Sequence, residues 1–160
     1  MLVRRTVRVL LLDRDDRLLL IKCTSLLAGT PPVFWATVGG GLEAGETTEA
    51  AALRETLEET GISAVELGPI VWYGEAILTF LGEGTALFKQ NYIVARCDAG
   101  ALNSTGWTQQ ERDTILELRW WTLGALQASD EHFFPVGLAQ LLPDVLAGNF
   151  PAEPLDIERV

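Results

Sequence analysis

Apolar residues run along the whole chain in short blocks separated by turn-forming clusters. Residues 6–13 and 17–22 are two such blocks, and Arg14-Asp15-Asp16 between them predicts a β-hairpin. Residues 23–33 hold Gly29 and Pro31-Pro32 and read as a loop. A short strand over 34–36 then enters the run Gly39-Gly40-Gly41. Residues 48–60 concentrate strong helix formers, with Thr47 placed as N-cap and Gly61 as the C-terminal stop. Strands are expected over 62–67 and 70–80, a turn over 81–84 and a long strand over 86–97. A polar loop over 98–110 leads to a strand at 116–121. Leu138, Leu141, Leu142 and Val145 recur at helical spacing, which predicts a second main helix over 137–146. The tail beyond Gly148 carries prolines and acids and reads as loosely held. The pattern is that of an α/β sandwich, a mixed sheet with two main helices. We expect one domain over 1–160, with a core at about 5–146 and a tail at 147–160.

On the helix predicted over 48–60, Glu55, Glu58 and Glu59 share one face, because positions i, i+3 and i+4 are neighbours. Leu53 and Leu57 lie opposite with Ala50 beside them, and the pattern assigns that side to the core. Carboxylates about 5 Å apart repel by about 3 kcal/mol per pair at an effective dielectric of about 20. A divalent cation reverses that sign, and hard oxygen ligands suit Mg²⁺ or Mn²⁺. A solvated acidic face shows the same spacing at a cost of only about a few tenths of a kcal/mol per pair. The helix alone therefore does not decide. Ahead of it, Gly39, Gly40, Gly41 and Gly45 let backbone groups approach a phosphate or a metal. Arg54 can hold a neighbouring carboxylate or the loop by charge-assisted bonds.

Taken together the residues read Gly40, five residues, Glu46, seven residues, then Arg54-Glu55-Thr56-Leu57-Glu58-Glu59-Thr60-Gly61-Ile62. This segment resembles the Nudix box, the loop-helix-loop signature of the Nudix hydrolases. Seven identities at fixed spacing arise by chance in roughly one in 10⁵ chains of this length. The resemblance implies an α/β/α sandwich with a mixed sheet. It also implies Glu55 and Glu59 as principal Mg²⁺ ligands, with Glu58 a further or water-mediated one. A backbone carbonyl of Gly39-Gly40 would complete the metal shell, and Gly41 would continue the phosphate-facing run. Arg54 and Glu46 would brace the loop against the helix, and Gly61 would turn the chain out of it. The implied reaction is attack of water on a phosphorus of a nucleoside diphosphate derivative: a nucleoside triphosphate, ADP-ribose, a nucleotide sugar or a similar compound. Two positions depart from the family pattern. Thr56 stands where a bulky aliphatic residue is usual, and Val38 stands where a proline often precedes the glycines. Two other activities share the fold. A binding or regulatory module without turnover typically loses box carboxylates, and all are present here. Isomerase chemistry of the isopentenyl diphosphate type needs a cysteine in the pocket, and neither Cys23 nor Cys97 lies in an obvious active-site stretch.

Outside the box, Glu111 is the leading candidate for a general base, although an acid there also suits a helix start. Gln90 lies on a strand where related sequences often carry an acid, and an amide cannot act as a base. His132 is the only histidine; a lone loop histidine is more often a surface residue, and the alternative is that its segment, 130–135, borders the pocket. Trp107, in the long loop, is the expected lid over a ligand; the other tryptophans and Tyr73 suit core or edge packing. The formal charge of −10 disfavours nucleic-acid polymers. A small diphosphate substrate stays compatible if a metal or a local cation offsets that field. No apolar run approaches the roughly 18–20 residues that cross a bilayer, so no membrane association is expected. We expect a cytoplasmic monomer or homodimer whose two cysteines are buried thiols.

Overall fold

Long apolar runs that alternate between two faces make one mixed sheet the backbone of this chain. The computed structural model describes residues 2–25, 31–80, 84–98, 100 and 102–157. Its strands are β1 (Leu2–Leu12), β2 (Leu18–Thr24), β3 (Val33–Gly41), β4 (Val65–Phe80), β5 (Gly84–Cys97), β6 (Ile115–Trp121), β7 (Phe133–Phe134) and β8 (Leu155–Asp156). They lie in the order β6-β2-β3-β1-β5-β4-β8, with β7 alongside β3. The helices among the described residues are α1 (Thr48–Thr60), α2 (Gln109–Thr114), α3 (Leu123–Ala128) and α4 (Leu138–Leu146). β1 is central, running parallel to β5 and antiparallel to β3. It sends Val7, Val9 and Leu11 into a cluster with Ala51 and Ala52 of α1. Leu10 and Leu12 enter a second cluster with Leu138, Leu142 and Val145 of α4. Each such side chain contributes about 1.5–3 kcal/mol on burial, so the two clusters fix α1 and α4 on opposite faces of the sheet.

The expected hairpin forms only at its base. β1 and β2 pair at Leu12 and Leu18, and β3 then enters between them, pairing with both. The turn is held by buried Asp13, whose carboxylate accepts from the backbone N–H groups of Asp15 and Arg17 and from Arg17 Nε at 2.7 Å. The glycine run continues strand β3 instead of forming a loop, because Gly39, Gly40 and Gly41 pair with Arg8, Val7 and Thr6. The strands expected at 62–67 and 70–80 are one strand, β4, whose register against β5 shifts around Ile70, next to Gly68-Pro69. The polar loop is shorter than expected, since Gln109 already opens α2. Residues 26–30 of the first loop and 81–83 of the turn lie outside the described residues, as do 158–160 of the tail. The tail is not loose where it is described: β8 pairs with Trp72 and Tyr73, and Ile157 enters the α4-side cluster.

Helix α1 has the predicted ends. Thr47 Oγ1 accepts from Ala50 N–H, and Gly61, at φ 78°, returns its N–H to Leu57 O. Its inward face is the reverse of the expected one. Ala51, Ala52, Glu55, Thr56, Glu59 and Thr60 are buried, whereas Leu53 and Leu57 are 43% and 50% exposed and Ala50 is exposed too. Small residues let the helix sit close to the sheet, and of the carboxylates that come inward with them Glu59 finds a donor in β3 and Glu55 finds one in Arg54.

Candidate active site

The inward carboxylates of α1 meet the glycine end of β3. Glu59 Oε1 accepts the Gly39 backbone N–H at 2.7 Å. A Cβ on Gly40 would fall 2.6 Å from Glu55 Oε1, and one on Gly39, whose φ is +148°, would fall 2.0 Å from Val7 O. Only glycine allows both this backbone path and this helix-to-strand approach. Glu111 arrives from a separate element. One carboxylate oxygen from each of Glu55, Glu59 and Glu111 lies within 4.8 Å of the others.

Arg54 ties the entry loop to the helix as expected. Its Nε and Nη2 reach the two oxygens of Glu46 at 2.8 Å each, and Nη2 also donates to Gly41 O at 2.9 Å. Nη1 donates to Glu55 Oε1 at 2.9 Å and to Glu58 Oε2 at 3.2 Å. The planar fork of arginine makes this set possible. The Arg54 hydrogen bonds push the Glu46 carboxyl down to about 2, helped by the Glu43 N–H that Glu46 also accepts. Glu58 is half-buried and lies outside the converging triad.

Burial pushes the Glu59 carboxyl well above the usual carboxylate range, against the pull of the Gly39 N–H. The carboxylates of Glu55 and Glu111 add to the rise. Glu55 is raised by burial as well, with Arg54 opposing. Three converging hard oxygen donors, two of them buried and reluctant to ionise without a counter-charge, fit a small divalent cation. Mg²⁺ and Mn²⁺ both match that donor set.

Glu111 combines its two sequence readings. It is the third residue of α2 and completes a capping box: Thr108 Oγ1 accepts from Glu111 N–H, and Glu111 Oε1 accepts from Thr108 N–H at 2.9 Å. It also faces the α1 carboxylates. Trp107 is no free lid, since its Nε1–H donates to Glu59 O at 2.7 Å and its ring packs against the α1-side core. Trp35, Trp72 and Trp121 are core residues. His132 is exposed, and its carbonyl accepts from Trp35 N–H. Its neighbours Phe134 and Pro135 do line a pocket.

That pocket, about 730 Å³, was not legible from the motif. Arg8, Phe34, Gln90, Tyr92, Phe134 and Gln140 contribute to a mainly apolar wall, in which Arg8 is the one charged residue among those described. Phe34 and Phe134 meet edge to face at 5.1 Å. Arg8 donates from Nε to Gln90 Oε1 at 3.1 Å and from Nη1 to Thr37 O at 3.4 Å. It pairs with Gly39 across β1 and β3 and pulls down the Glu59 carboxyl, so it stands where pocket and carboxylates meet. The available signal was a single charge, Arg8, within the otherwise apolar run 7–12. Cys97 is buried as expected, while Cys23 is only half-buried. Burial pushes its thiol up to about 12, with Glu59 and Glu111 contributing, so it stands within electrostatic reach of the cluster. A thiol held so high is a poor nucleophile.

A family model described as the NUDIX domain matches residues 2–143. No curated protein matches the chain. The solved MutT NUDIX hydrolase from Burkholderia pseudomallei is similar at 22% identity, over 91% of this chain and 99% of that one, with a TM-score of 0.61. An ADP-ribose pyrophosphatase from Streptococcus suis is similar at 13% identity over 96% of both chains, with a TM-score of 0.59. The NUDIX domain of Shewanella oneidensis NrtR, solved with ADP-ribose, is similar at 17% identity over 93% of this chain and 88% of that one, with a TM-score of 0.57. At these identities the likeness is one of fold.

Proposed function

Because this chain belongs to the NUDIX family and is a Nudix hydrolase, we propose that it cleaves the diphosphate bond of a nucleoside diphosphate derivative by water attack at phosphorus. The observation that carries this reading is the convergence of Glu55, Glu59 and Glu111 oxygens within 4.8 Å. Glu55 and Glu59 would hold Mg²⁺ or Mn²⁺ directly, with Glu58, Glu111 and a Gly39-Gly40 carbonyl as further or water-mediated contributors. The cation would neutralise phosphate oxygens and lower the pKa of a bound water.

The chain's own residues then divide the work. Gly39 N–H and Arg54 fix the oxygens of Glu59 and Glu55, while Glu46 and Arg54 lock the entry loop onto α1. Glu111 Oε1 is engaged by Thr108, so Oε2 is the proposed acceptor of the water proton. The Gly39-Gly40-Gly41 end of β3 would border the phosphates, and Arg8 would offer them a positive charge inside an acidic protein. The apolar pocket beyond Arg8 suits the flat, uncharged face of a nucleobase. Fold neighbours described as an ADP-ribose pyrophosphatase and as an ADP-ribose complex support a nucleotide-derived substrate. Retention of every box carboxylate supports turnover over a purely binding role.

The test is a panel of nucleoside triphosphates, ADP-ribose, nucleotide sugars and dinucleoside polyphosphates, with Mg²⁺, Mn²⁺ or chelator. Phosphate release is measured with and without added phosphatase. We expect metal-dependent turnover of at least one diphosphate, and its absence on all of them would overturn the proposal.

A further inference from the structure

An α-helix ends with carbonyls that have no partner inside it. In α1, Leu57 O is met by the Gly61 N–H. The two carbonyls nearest the C-terminus are met by a different part of the chain: Thr60 O accepts from Asn103 N–H at 2.9 Å, and Glu59 O accepts from Trp107 Nε1–H at 2.7 Å. Two glycines make the contact close. A Cβ on Gly106 would fall 2.7 Å from Glu58 O, and one on Gly61 would fall 2.1 Å from the Asn103 amide. The segment is also tied to itself. Trp107 N–H reaches Ser104 O, Arg112 Nη2 donates to Ser104 O, and Thr108 with Glu111 forms the capping box.

Glu59 is therefore touched at both ends, by Trp107 at its carbonyl and by Glu111 among the oxygens near its carboxylate. Only three residues of tightly bonded chain separate those two partners. We infer that residues 102–111 form a fixed strap on α1, and that Trp107 is a positioning residue whose hold on the Glu59 carbonyl sets where Glu111 stands among the α1 carboxylates. This rests on the proposed reading that the three carboxylates serve a divalent cation. It assigns the conformational precision of the site to a residue outside the box, in a loop whose composition alone suggests mobility.

The test needs no substrate. Mn²⁺ binding is followed by electron paramagnetic resonance titration for the wild type, Trp107→Phe, Glu111→Gln and the double variant, with circular dichroism as the check on folding. Phe keeps a six-membered aromatic ring and loses the N–H together with the five-membered ring that carries it. We expect Glu111→Gln to weaken Mn²⁺ binding about tenfold or more and Trp107→Phe about three- to tenfold, in the range of partners that orient metal ligands. The double variant should bind within about twofold of Glu111→Gln, because a strap that positions Glu111 has nothing left to position once its charge is gone. Losses that multiply in the double variant, or Trp107→Phe binding as tightly as the wild type, overturn the inference. Unchanged binding in Glu111→Gln overturns it as well, while wild-type turnover on the substrate panel judges the hydrolase reading separately. If Trp107→Phe does not fold, Gly106→Ala lifts the strap off Glu58 through its Cβ and gives the same comparison.

Discussion

Gly39 donates its backbone N–H to Glu59 Oε1 at 2.7 Å, so the most buried carboxylate of the site is oriented by a strand and not by a side chain. A glutamine at position 59 keeps an oxygen that can accept this bond and loses the negative charge. We therefore expect Glu59→Gln to leave the fold intact and to lower kcat by about 10²-fold or more, in line with weakened metal binding. Steady-state kinetics at saturating Mg²⁺, with a thermal melt of the same sample, checks both halves. An unchanged rate would place the cation elsewhere.

The acids of the site give metal-free protein an unusual pH response. Glu59 and Glu55 hold protons more tightly folded than unfolded, where the usual value is 4.5. Their contribution to stability is full below that value and is lost as pH rises through the raised folded values. Glu46 has the opposite sign: held down to about 2, it contributes above 4.5 and stops contributing as pH falls towards 2. Tm of chelator-treated protein should thus peak in the mildly acidic range and fall towards alkaline pH. Mg²⁺ held by these oxygens would replace the protons, so the rise in Tm on adding Mg²⁺ should be larger at about pH 8 than at about pH 5.5. Differential scanning fluorimetry across pH with and without Mg²⁺ measures this, and equal rises at both pH values would contradict it.

Local signals carried much of this structure in the sequence, and long-range ones did not. Thr47, Gly61 and the box spacing are contiguous, and α1 with its Arg54 brace formed as read. The direction in which α1 faces was inverted, because periodicity ranks Leu53 and Leu57 as core and cannot see that β3 offers a donor to Glu59 and that Arg54 offers one to Glu55. Glu111 was legible as an acid near a helix start, but its convergence on α1 depends on contacts at Asn103 and Trp107 more than forty positions from their partners. Arg8 and the pocket depend on β3 inserting between β1 and β2, which no local pattern announces.

Thr56 gives a prediction about stability alone. It is fully buried, and its Oγ1 has no hydrogen-bond partner among the described residues. An unsatisfied buried hydroxyl costs about 1–3 kcal/mol. Valine has nearly the same shape, so Thr56→Val should stabilise the protein by about 1 kcal/mol and raise Tm by about 2–4 °C, the scale for a chain of this size. A thermal melt decides. A lower Tm would mean that the hydroxyl is satisfied in solution.

Arg8 separates binding from chemistry. It is the one charged residue among the described pocket lining, held by Gln90 and Thr37 at the border with the carboxylates. A guanidinium in that place attracts phosphate in the ground state and the transition state alike, and loss of such uniform binding raises KM with little change in kcat. Arg8→Ala should therefore raise KM about tenfold or more for any diphosphate the wild type cleaves. Arg8→Lys should recover part of the loss, because charge is restored without the fork that holds Gln90. Gln90→Leu should reproduce a weaker form of the same defect, since it frees Arg8 without removing it. Kinetics of the three variants on one substrate test the assignment. A kcat defect with unchanged KM in Arg8→Ala would instead place the arginine on charge that develops during the reaction.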